Sequence, residues 1–377
     1  MLDLTFSQEQ DMLREVVRGL CAEHSPLTVV REMEDDPGGY PADLWKKLAD
    51  LDLLGLLVPE AFGGVAMTAL DGVVLYEELG RALAPTPHLV SSVISARLLA
   101  AGATEAQKQE WLPRLVAGDA ILTPAWLEPD SGFGPLGIQA RAVPDRAGGY
   151  DLSGTKRHVA FASSAARLVV LARTGDQPTD IGVFLVDPAA SGVTLTQQHS
   201  VASDTQYRVD LDHVPVASAG VVGAAGSGWV AWETTRDDAL ILLAAWIVGA
   251  ATYAQEITVQ YAKDREQFGK PLGAFQAIAH YLADRQTELD GARTLVHEAA
   301  WARSMGRSVA RLAPMAKLFA GQMFRDLTAT AQQIFGGVGF TLEYDIQLYF
   351  RRAKAVQIGW WNDRYLEELI AADVLDG

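Results

Sequence analysis

The sequence predicts an α+β protein with a helical first part, a β part in the middle and a second helical part. Apolar residues near the N-terminus recur at the spacing of an amphipathic helix, and this spacing returns after Gly228. In between, short apolar runs are bounded by glycine and proline, and Tyr207, Val209 and Leu211 alternate with charged residues as in a half-buried strand. We place the three domains at residues 1–121, 122–225 and 226–377.

In the first part, Ser7 and Gln10 have the spacing of a capping box, which predicts that a helix begins there. Further helical segments are predicted at 44–57, 70–83 and 105–116.

In the middle part, the runs 168–171 and 183–186 are predicted strands, and Gly148 with Gly149 predicts a turn. In the last part, one helix is predicted to bury a single apolar face, formed by Ile278, Tyr281, Leu282, Leu289, Ala292, Val296 and Ala299.

Composition limits the classes of function. With 377 residues, 49% of them hydrophobic, the chain can bury a large core. Its net charge of -16 argues against binding to nucleic acid or to an anionic membrane, but local cations and backbone N–H groups can still hold an anionic nucleotide.

The chain is expected to be a cytoplasmic protein that does not insert into a membrane. Its longest uncharged apolar run, 239–251, is shorter than the roughly 20 residues that span a bilayer, so it predicts a buried helix. The N-terminus has no basic region followed by an apolar stretch, which argues against a secretory signal. Cys21 is the only cysteine, so no internal disulfide can form, as is usual in a reducing compartment.

Two segments of the last part carry residues suited to a nucleotide. The Arg265 guanidinium can donate two hydrogen bonds to a pyrophosphate, and Gln276 and Gln333 offer amides to ribose or adenine edges. Gly336 and Gly337 have no Cβ, so their backbone N–H groups can come close to a ligand. Each residue alone also fits a helix end or a simple turn, and it is their combination that favours a nucleotide site.

Six motifs, in order and at compatible spacing, resemble the acyl-CoA dehydrogenase family over essentially the whole chain. They are Pro59-Glu-Ala-Phe-Gly-Gly64, Gly154-Thr-Lys156, Ser203-Asp-Thr205, His213-Val-Pro215, Arg265-Glu-Gln-Phe-Gly-Lys-Pro-Leu-Gly-Ala-Phe-Gln276 and Gln333-Ile-Phe-Gly-Gly-Val-Gly-Phe-Thr-Leu-Glu-Tyr344. The resemblance implies an N-terminal helical domain, a middle β-barrel and a C-terminal four-helix bundle. It also implies FAD as cofactor, acyl-CoA as substrate and electron-transfer flavoprotein as acceptor.

The last two motifs lie where, in this family, one subunit holds the ADP end of a FAD that is bound mainly by its neighbour. The resemblance implies that Phe268 packs behind Arg265. In all, it assigns cofactor contacts to Arg265, Gln267, Phe268, Phe275, Gln276, Gln333, Ile334, Phe335, Gly336 and Gly337.

On the flavin-ring side, this chain departs from the family pattern. The segment that resembles Thr-Glu-Pro-x-x-Gly-Ser-Asp places Leu127 and Phe133 where hydroxyl groups would face the flavin or its phosphates. The family's aromatic-x-Thr appears as His158-Val159-Ala160. Each polar flavin atom left without a partner would cost about 1 to 3 kcal/mol.

The position of the family's catalytic glutamate is taken by Trp360, whose indole has no basic site that could accept a proton from carbon. We expect Leu127, Phe133 and Trp360 to be core residues, with a ligand-facing Trp360 as the alternative.

Three other residues are candidates for a replacement base. Some family members carry the base at a position that falls near Ala239 and Leu240, just after Asp237 and Asp238. A carboxylate one residue away points about 100° around the helix, so surface or capping roles are expected for both aspartates. His158 is the third candidate because histidine is a common base in enzymes, but it is expected to be structural.

The sequence therefore leaves three functions open. The favoured one is a non-catalytic subunit that completes a FAD site in an α2β2 enzyme, which desaturates acyl-CoA thioesters, with bulky steroid-type acyl groups as one expectation. In that case a homologous catalytic subunit supplies the glutamate. The others are a self-sufficient flavoenzyme with an altered base and a flavin-free acyl-CoA-binding or scaffold protein.

Overall fold

The computed structural model describes residues 6–224 and 226–376. The α-helices are α1 Gln8–His24, α2 Leu27–Glu32, α3 Ala42–Asp50, α4 Ala69–Arg81, α5 Ala96–Gly102, α6 Glu105–Val116, α7 Gly228–Asp264, α8 Gln276–Ser304, α9 Leu312–Phe335, α10 Ile346–Ile358 and α11 Asp363–Asp376. The predicted capping box at the start of α1 is confirmed, because the Ser7 hydroxyl accepts from the Gln10 N–H and the Gln10 side chain accepts from the Ser7 N–H.

The strands are β1 Leu122–Ala125, β2 Arg141–Pro144, β3 Tyr150–Ala160, β4 Arg167–Arg173, β5 Ile181–Val186, β6 Val193–Gln198, β7 Gln206–Val216, β8 Val221–Val222, β9 Glu266–Gln267 and β10 Lys270–Pro271. Eight of them form one sheet in the order β6-β7-β3-β2-β4-β5-β8, with β1 paired to β4, and the last two form a small hairpin. The strands predicted at 168–171, 183–186 and around Val209 are confirmed as parts of β4, β5 and β7.

The described residues divide into two compact units, each discontinuous in sequence. The first unit comprises Met1–Val30, Thr68–Ala84 and Leu240–Gly377, and the second comprises Arg31–Met67 and Pro85–Ala239. The division into 1–121, 122–225 and 226–377 therefore stays a prediction, because folding joins segments that are distant in sequence.

The core of the first unit is helical, and α4 and α7 approach closely through glycine. A Cβ at Gly80 would lie 1.9 Å from the Trp246 carbonyl oxygen, and one at Gly249 would lie 1.8 Å from the Glu77 carbonyl oxygen. Any larger residue at either position would push the two helices apart.

The core of the second unit is the sheet. Alternate residues of β3 and β7, among them Leu152, Val209 and Leu211, are buried in a cluster with the apolar faces of β4 and β5. The pairing of β3 with β7 shifts register between Lys156 and Val159, a bulge that changes the direction of the side chains at that point.

Helix α7 is longer than the sequence predicted. By length and composition alone it could cross a membrane, but 72% of its most apolar window is buried inside the protein. Such burial is typical of a core helix.

The predicted apolar face of α8 is only half confirmed. Leu289, Ala292, Val296 and Ala299 are buried, whereas Tyr281 is 50% exposed. Ile278 and Leu282 are half-buried. The first half of this helix therefore contributes little to the core of its own unit.

Candidate cofactor half-site

The two segments predicted to hold a nucleotide meet in the first unit through an aromatic cluster. The ring of Tyr261, four residues before Arg265 on α7, stacks on Phe335 with centroids 4.2 Å apart and planes 18° apart. The Tyr261 hydroxyl donates to the Phe335 carbonyl oxygen over 3.4 Å, and Tyr344 packs edge-on against both rings. Sequence reasoning missed Tyr261, although an aromatic residue at i−4 lies on the same helix face as Arg265.

Arg265 follows the last residue of α7 and precedes the β9–β10 hairpin. Its backbone is held at both ends, since its N–H donates to Tyr261 and its carbonyl accepts from Leu272. Its guanidinium is exposed and makes no hydrogen bond or ion pair with any residue that the structure describes. Five N–H donors are thus available to a ligand.

The prediction that Phe268 packs behind Arg265 is wrong for this chain by itself. Phe268 lies at the hairpin tip in a left-handed conformation, with φ 54°, and is 92% exposed. Its ring meets only the edge of Phe275, with centroids 6.3 Å apart, and the Phe275 ring lies under the Lys270 ammonium at 4.2 Å. The turn geometry directs Phe268 away from the unit.

The glycine pair follows α9 and exposes its backbone. Gly336 has φ 64° and ψ -144°, a conformation that residues with a side chain adopt only under strain. A Cβ at Gly336 or Gly337 would meet no heavy atom within 4 Å, so this backbone is open to a ligand.

The neighbouring predicted contacts divide into exposed and buried side chains. Gln267, Gln276 and Gln333 are exposed, whereas Ile334 and Phe335 are 5% and 7% exposed. Ile334 and Phe335 can therefore offer a cofactor mainly their backbone groups. Their assignment as cofactor contacts stays a prediction.

A buried amide lies under the glycine segment. Gln332 is 4% exposed, and neither its Oε1 nor its Nε2 has a hydrogen-bond partner. Its Oε1 is so close to Gly339 that a Cβ there would lie 2.5 Å away. Buried polar groups are normally satisfied, so this amide marks a place where a water or a ligand atom is expected.

These groups suit the ADP end of FAD. An unpaired guanidinium matches a pyrophosphate, exposed amides match ribose and adenine edges, and an exposed glycine backbone allows a ligand to approach closely. We call Arg265–Gln276 together with Gln333–Tyr344 the ADP half-site.

The segments that hold the flavin ring in the family, and that depart from the family pattern here, meet in the second unit. The Arg157 N–H donates to the Leu127 carbonyl oxygen over 2.8 Å, and the Thr123 hydroxyl donates to the Ala160 carbonyl oxygen over 2.6 Å. Trp126–Phe133 and His158–Ala160, which we call the ring region, are thereby brought side by side.

A buried ion pair fixes this arrangement. Lys156 is fully buried, and its Nζ donates to Glu128 Oε1 and to the Leu171 carbonyl oxygen, each over 2.5 Å. Glu128 also accepts from the N–H groups of Gln139 and Ala140. Burial lowers the pKa of Lys156, and the neighbouring Glu128 carboxylate opposes that shift.

Aromatic side chains pack together at the ring region. Trp126 and Trp232 are 3% and 1% exposed, with ring centroids 4.8 Å apart, and Phe133 packs against Trp126 at 5.8 Å. Sequence reasoning missed both tryptophans. It was also wrong to expect Leu127 and Phe133 in the core, because both are only half-buried. With Leu127 and Ala160 at the former hydroxyl positions, the region suits a flavin ring poorly.

Trp360 lies in the first unit, at the corner between α10 and α11. It is half-buried, so the expectation of a core residue is wrong, and the buried neighbour is Trp361 at 1% exposure. Both have left-handed backbones, with φ 47° and 66°. Such a conformation costs a residue with a side chain about 1 to 2 kcal/mol.

Each of the three candidate bases interacts with a neighbouring side chain. Asp238 is 3% exposed rather than on the surface as expected, and its Oδ2 accepts from both Nε and Nη2 of Arg97, at 2.8 and 2.6 Å. Asp237 lies beside Arg236 at 3.4 Å. His158 occupies the β3 bulge, with its ring nitrogen Nδ1 on Gln206 and its N–H on Gln198, a structural role as expected.

An N-terminal helical part, a middle sheet and a C-terminal helical part are the architecture of the acyl-CoA dehydrogenases, a class of flavin-dependent oxidoreductases. The N-terminal, middle and C-terminal domain models of acyl-CoA dehydrogenase match residues 7–119, 124–214 and 226–375. The chain belongs to the acyl-CoA dehydrogenase family, whose members use FAD. The predicted fold and the resemblance are confirmed.

Known relatives cover nearly the whole chain. A probable acyl-CoA dehydrogenase of Bacillus subtilis, YngJ, is 32% identical over 99% of this chain and 100% of its own length. A solved steroid ACAD, Tcur3481-Tcur3483, is 33% identical with a TM-score of 0.85 and covers 97% of this chain and 99% of that chain. The ChsE4-ChsE5 complex from Mycobacterium tuberculosis is 26% identical with a TM-score of 0.89 and covers 100% of both.

Proposed function

We propose that this chain is the non-catalytic subunit of a heteromeric acyl-CoA dehydrogenase and that it completes a FAD site held mainly by a homologous partner. One observation carries the proposal: the ADP half-site presents an unpaired Arg265 guanidinium and an exposed glycine backbone, whereas the ring region contains packed aromatic side chains and lacks its hydroxyls. Trp360 at the position of the family's glutamate points the same way.

Apolar side chains around the ADP half-site support a covering partner. Phe268, Phe340 and Leu342 are 92%, 68% and 74% exposed. Large apolar side chains grouped around a site are typical of a protein interface. A partner that covered them would also exclude water from the pyrophosphate and strengthen its hydrogen bonds to Arg265.

When bound in the proposed enzyme, FAD would supply a hydride acceptor for the β-carbon of the acyl thioester, and a glutamate of the partner would remove the α-proton. The present chain binds and orients. Arg265 neutralises and grips the pyrophosphate, the Gly336 and Gly337 backbone approaches its oxygens, and Gln276 and Gln333 contact ribose or adenine edges.

The solved relatives support the finer assignment. The names of two of them each combine two chains, and one is called a steroid ACAD. We therefore propose an α2β2 assembly acting in the cytoplasm on a bulky, steroid-type acyl-CoA, with electron-transfer flavoprotein as acceptor.

A flavin-free acyl-CoA-binding or scaffold protein is the second candidate. The aromatic packing of Trp126, Phe133 and Trp232 favours it, because that packing would oppose entry of a flavin ring into this chain's own ring region. The two candidates differ in whether a partner restores flavin.

Expression alone and together with a homologous chain that keeps the glutamate tests the proposal. Alone, the chain should purify almost colourless. With the partner, about one flavin per pair of chains and acyl-CoA-dependent dye reduction are expected. A yellow homo-oligomer with one flavin per chain would contradict the proposal, and a colourless, inactive heteromer would favour the second candidate.

A further inference from the structure

The corner between α10 and α11 is a strained turn that the structure holds firmly. After Ile358, the chain passes through Gly359 and then through two consecutive left-handed residues, Trp360 and Trp361, before Asn362 begins the next helix. Glycine is the residue that adopts such backbone angles freely, so two tryptophans in sequence require outside support.

Lys317 on α9 supplies that support. This lysine is fully buried, and its Nζ donates to three carbonyl oxygens of the corner: Gln357 at 2.9 Å, Gly359 at 3.3 Å and Trp361 at 2.9 Å. An ammonium group has three N–H donors, and all three are used. The bonds to Gly359 and Trp361 bracket Trp360 on both sides.

The charged groups near this ammonium come from three helices. Asp363 at the start of α11 is the nearest carboxylate and accepts from the Gln357 side chain at 2.7 Å. Lys354 on α10 donates to Gln357 Oε1 at 3.0 Å, and Arg325 on α9 interacts with Asp363. Of these groups, Lys317 is the one whose hydrogen bonds reach the backbone of the corner.

We propose that Lys317 is a positioning residue that locks the α10–α11 corner and thereby fixes where the Trp360 indole stands. That the Trp360 position corresponds to the family's catalytic base rests on the proposed function. The geometry of the corner does not depend on it. Trp361 is buried and anchored, so the half-buried Trp360 is the side chain that the locked corner presents. The position of the family's catalytic glutamate is thus occupied by an indole ring whose backbone is held in place.

The protonation of Lys317 should control this lock. Burial lowers its pKa from an ordinary 10.5 to about 8, with Asp363 opposing the shift. A neutral amine has two N–H groups, so above pH 8 one of the three bonds is lost, and the 3.3 Å bond to Gly359 is the weakest. One unit above the pKa, neutral lysine outnumbers protonated lysine by about tenfold.

The effect on global stability has the opposite sign. Because the folded pKa lies below the unfolded one, the unfolded chain binds more protons between about pH 8 and 10.5. The Lys317 contribution to the free energy of unfolding therefore rises with pH over that window. Deprotonation of Lys317 should therefore change the environment of the Trp360 side chain while the protein stays folded.

The experiment uses the full chain labelled with 5-fluorotryptophan. Among the nine tryptophans, the Trp360 resonance is assigned as the one that Trp360→Phe removes. We expect its ¹⁹F shift to titrate with a midpoint near pH 8 in the unsubstituted chain. In Lys317→Gln, which cannot titrate, it should stay near its alkaline position at every pH.

Lys354→Met is the matched control, since it removes an exposed lysine that contacts only the side chain of the same Gln357. It should leave the midpoint unchanged. A Trp360 resonance that is flat from pH 6.5 to 10, or a midpoint that moves with Lys354→Met, would overturn the inference even if Lys317→Gln failed to fold. The readout needs neither flavin nor partner, so it fails independently of the proposed function.

Discussion

The ADP half-site and the ring region are two halves of one family site, and they differ in how their residues are used. In the half-site, the Arg265 guanidinium pairs with no residue that the structure describes. The backbone of Gly336 and Gly337 is exposed, although the Gly336 N–H donates to the Gln332 carbonyl oxygen. In the ring region, Trp126 and Trp232 pack on each other, and the Lys156 ammonium forms an ion pair with Glu128. Under the proposed function, the two halves depend on different side chains, so a chain can keep one and lose the other while its fold is unchanged.

The largest loss of stability is expected from breaking the buried ion pair between Glu128 and Lys156. Glu128→Ala would leave the Lys156 ammonium buried without its carboxylate, which should lower the free energy of unfolding by about 3 to 5 kcal/mol. Urea unfolding followed by near-ultraviolet circular dichroism measures the change.

The matched control for Glu128→Ala is Arg208→Ala, which breaks an exposed ion pair with Asp210 on the same sheet. It should cost far less, because exposed pairs contribute little. Equal losses for the two variants would mean that the Glu128 pair does not hold the ring region.

The next largest effect is expected on FAD affinity, when Arg265 in the ADP half-site is replaced. In the assembled complex, Arg265→Ala should weaken FAD binding roughly ten- to hundredfold, the equivalent of about 1.5 to 3 kcal/mol for a charged hydrogen bond. Turnover at saturating FAD should change much less, since the reacting carbons are remote from Arg265.

Lys270→Ala removes a cation from the same hairpin, where the ammonium lies over the Phe275 ring. A FAD titration should show little change for this variant. If both substitutions weaken FAD equally, only the general charge of the hairpin matters. If neither does, Arg265 is a structural residue.

The last substitution, Trp360→Glu, is expected to leave activity unchanged. Trp360→Glu restores a carboxylate at the former base position but leaves Leu127, Ala160 and the packed tryptophans of the ring region unchanged. Without a partner it should show no acyl-CoA-dependent dye reduction, and the partly buried carboxyl would tend to stay protonated. Measurable desaturation by this variant alone would show that the ring region can still hold a flavin.

Local patterns predicted the elements well, whereas long-range contacts were out of reach. The capping box at Ser7 and the alternation around Val209 depend on neighbours in sequence, so they could be read directly. The half-buried state of Trp360 depends on α9, whose Lys317 lies 3.3 Å or less from three carbonyls of the corner.

The candidate site shows the same limit. The residue types of Arg265, Gly336 and Gly337 indicated their chemistry, and the structure leaves them open. The exposure of Phe268 and the burial of Asp238 against Arg97 depend on tertiary packing that no spacing encodes. Trp232 joins Trp126 across a long sequence separation, so the aromatic packing at the ring region was not predictable either.

The most direct test of the central claim compares ADP with FMN as ligands of the isolated chain. ADP carries the part of FAD that the half-site would hold, and FMN carries the ring without the adenylate. We expect that ADP and FAD bind with similar, weak affinity by calorimetry, that Arg265→Ala weakens both roughly ten- to hundredfold, and that FMN does not bind. FMN binding as tightly as FAD, with no response to ADP, would contradict the claim that this chain keeps only the ADP half of the site.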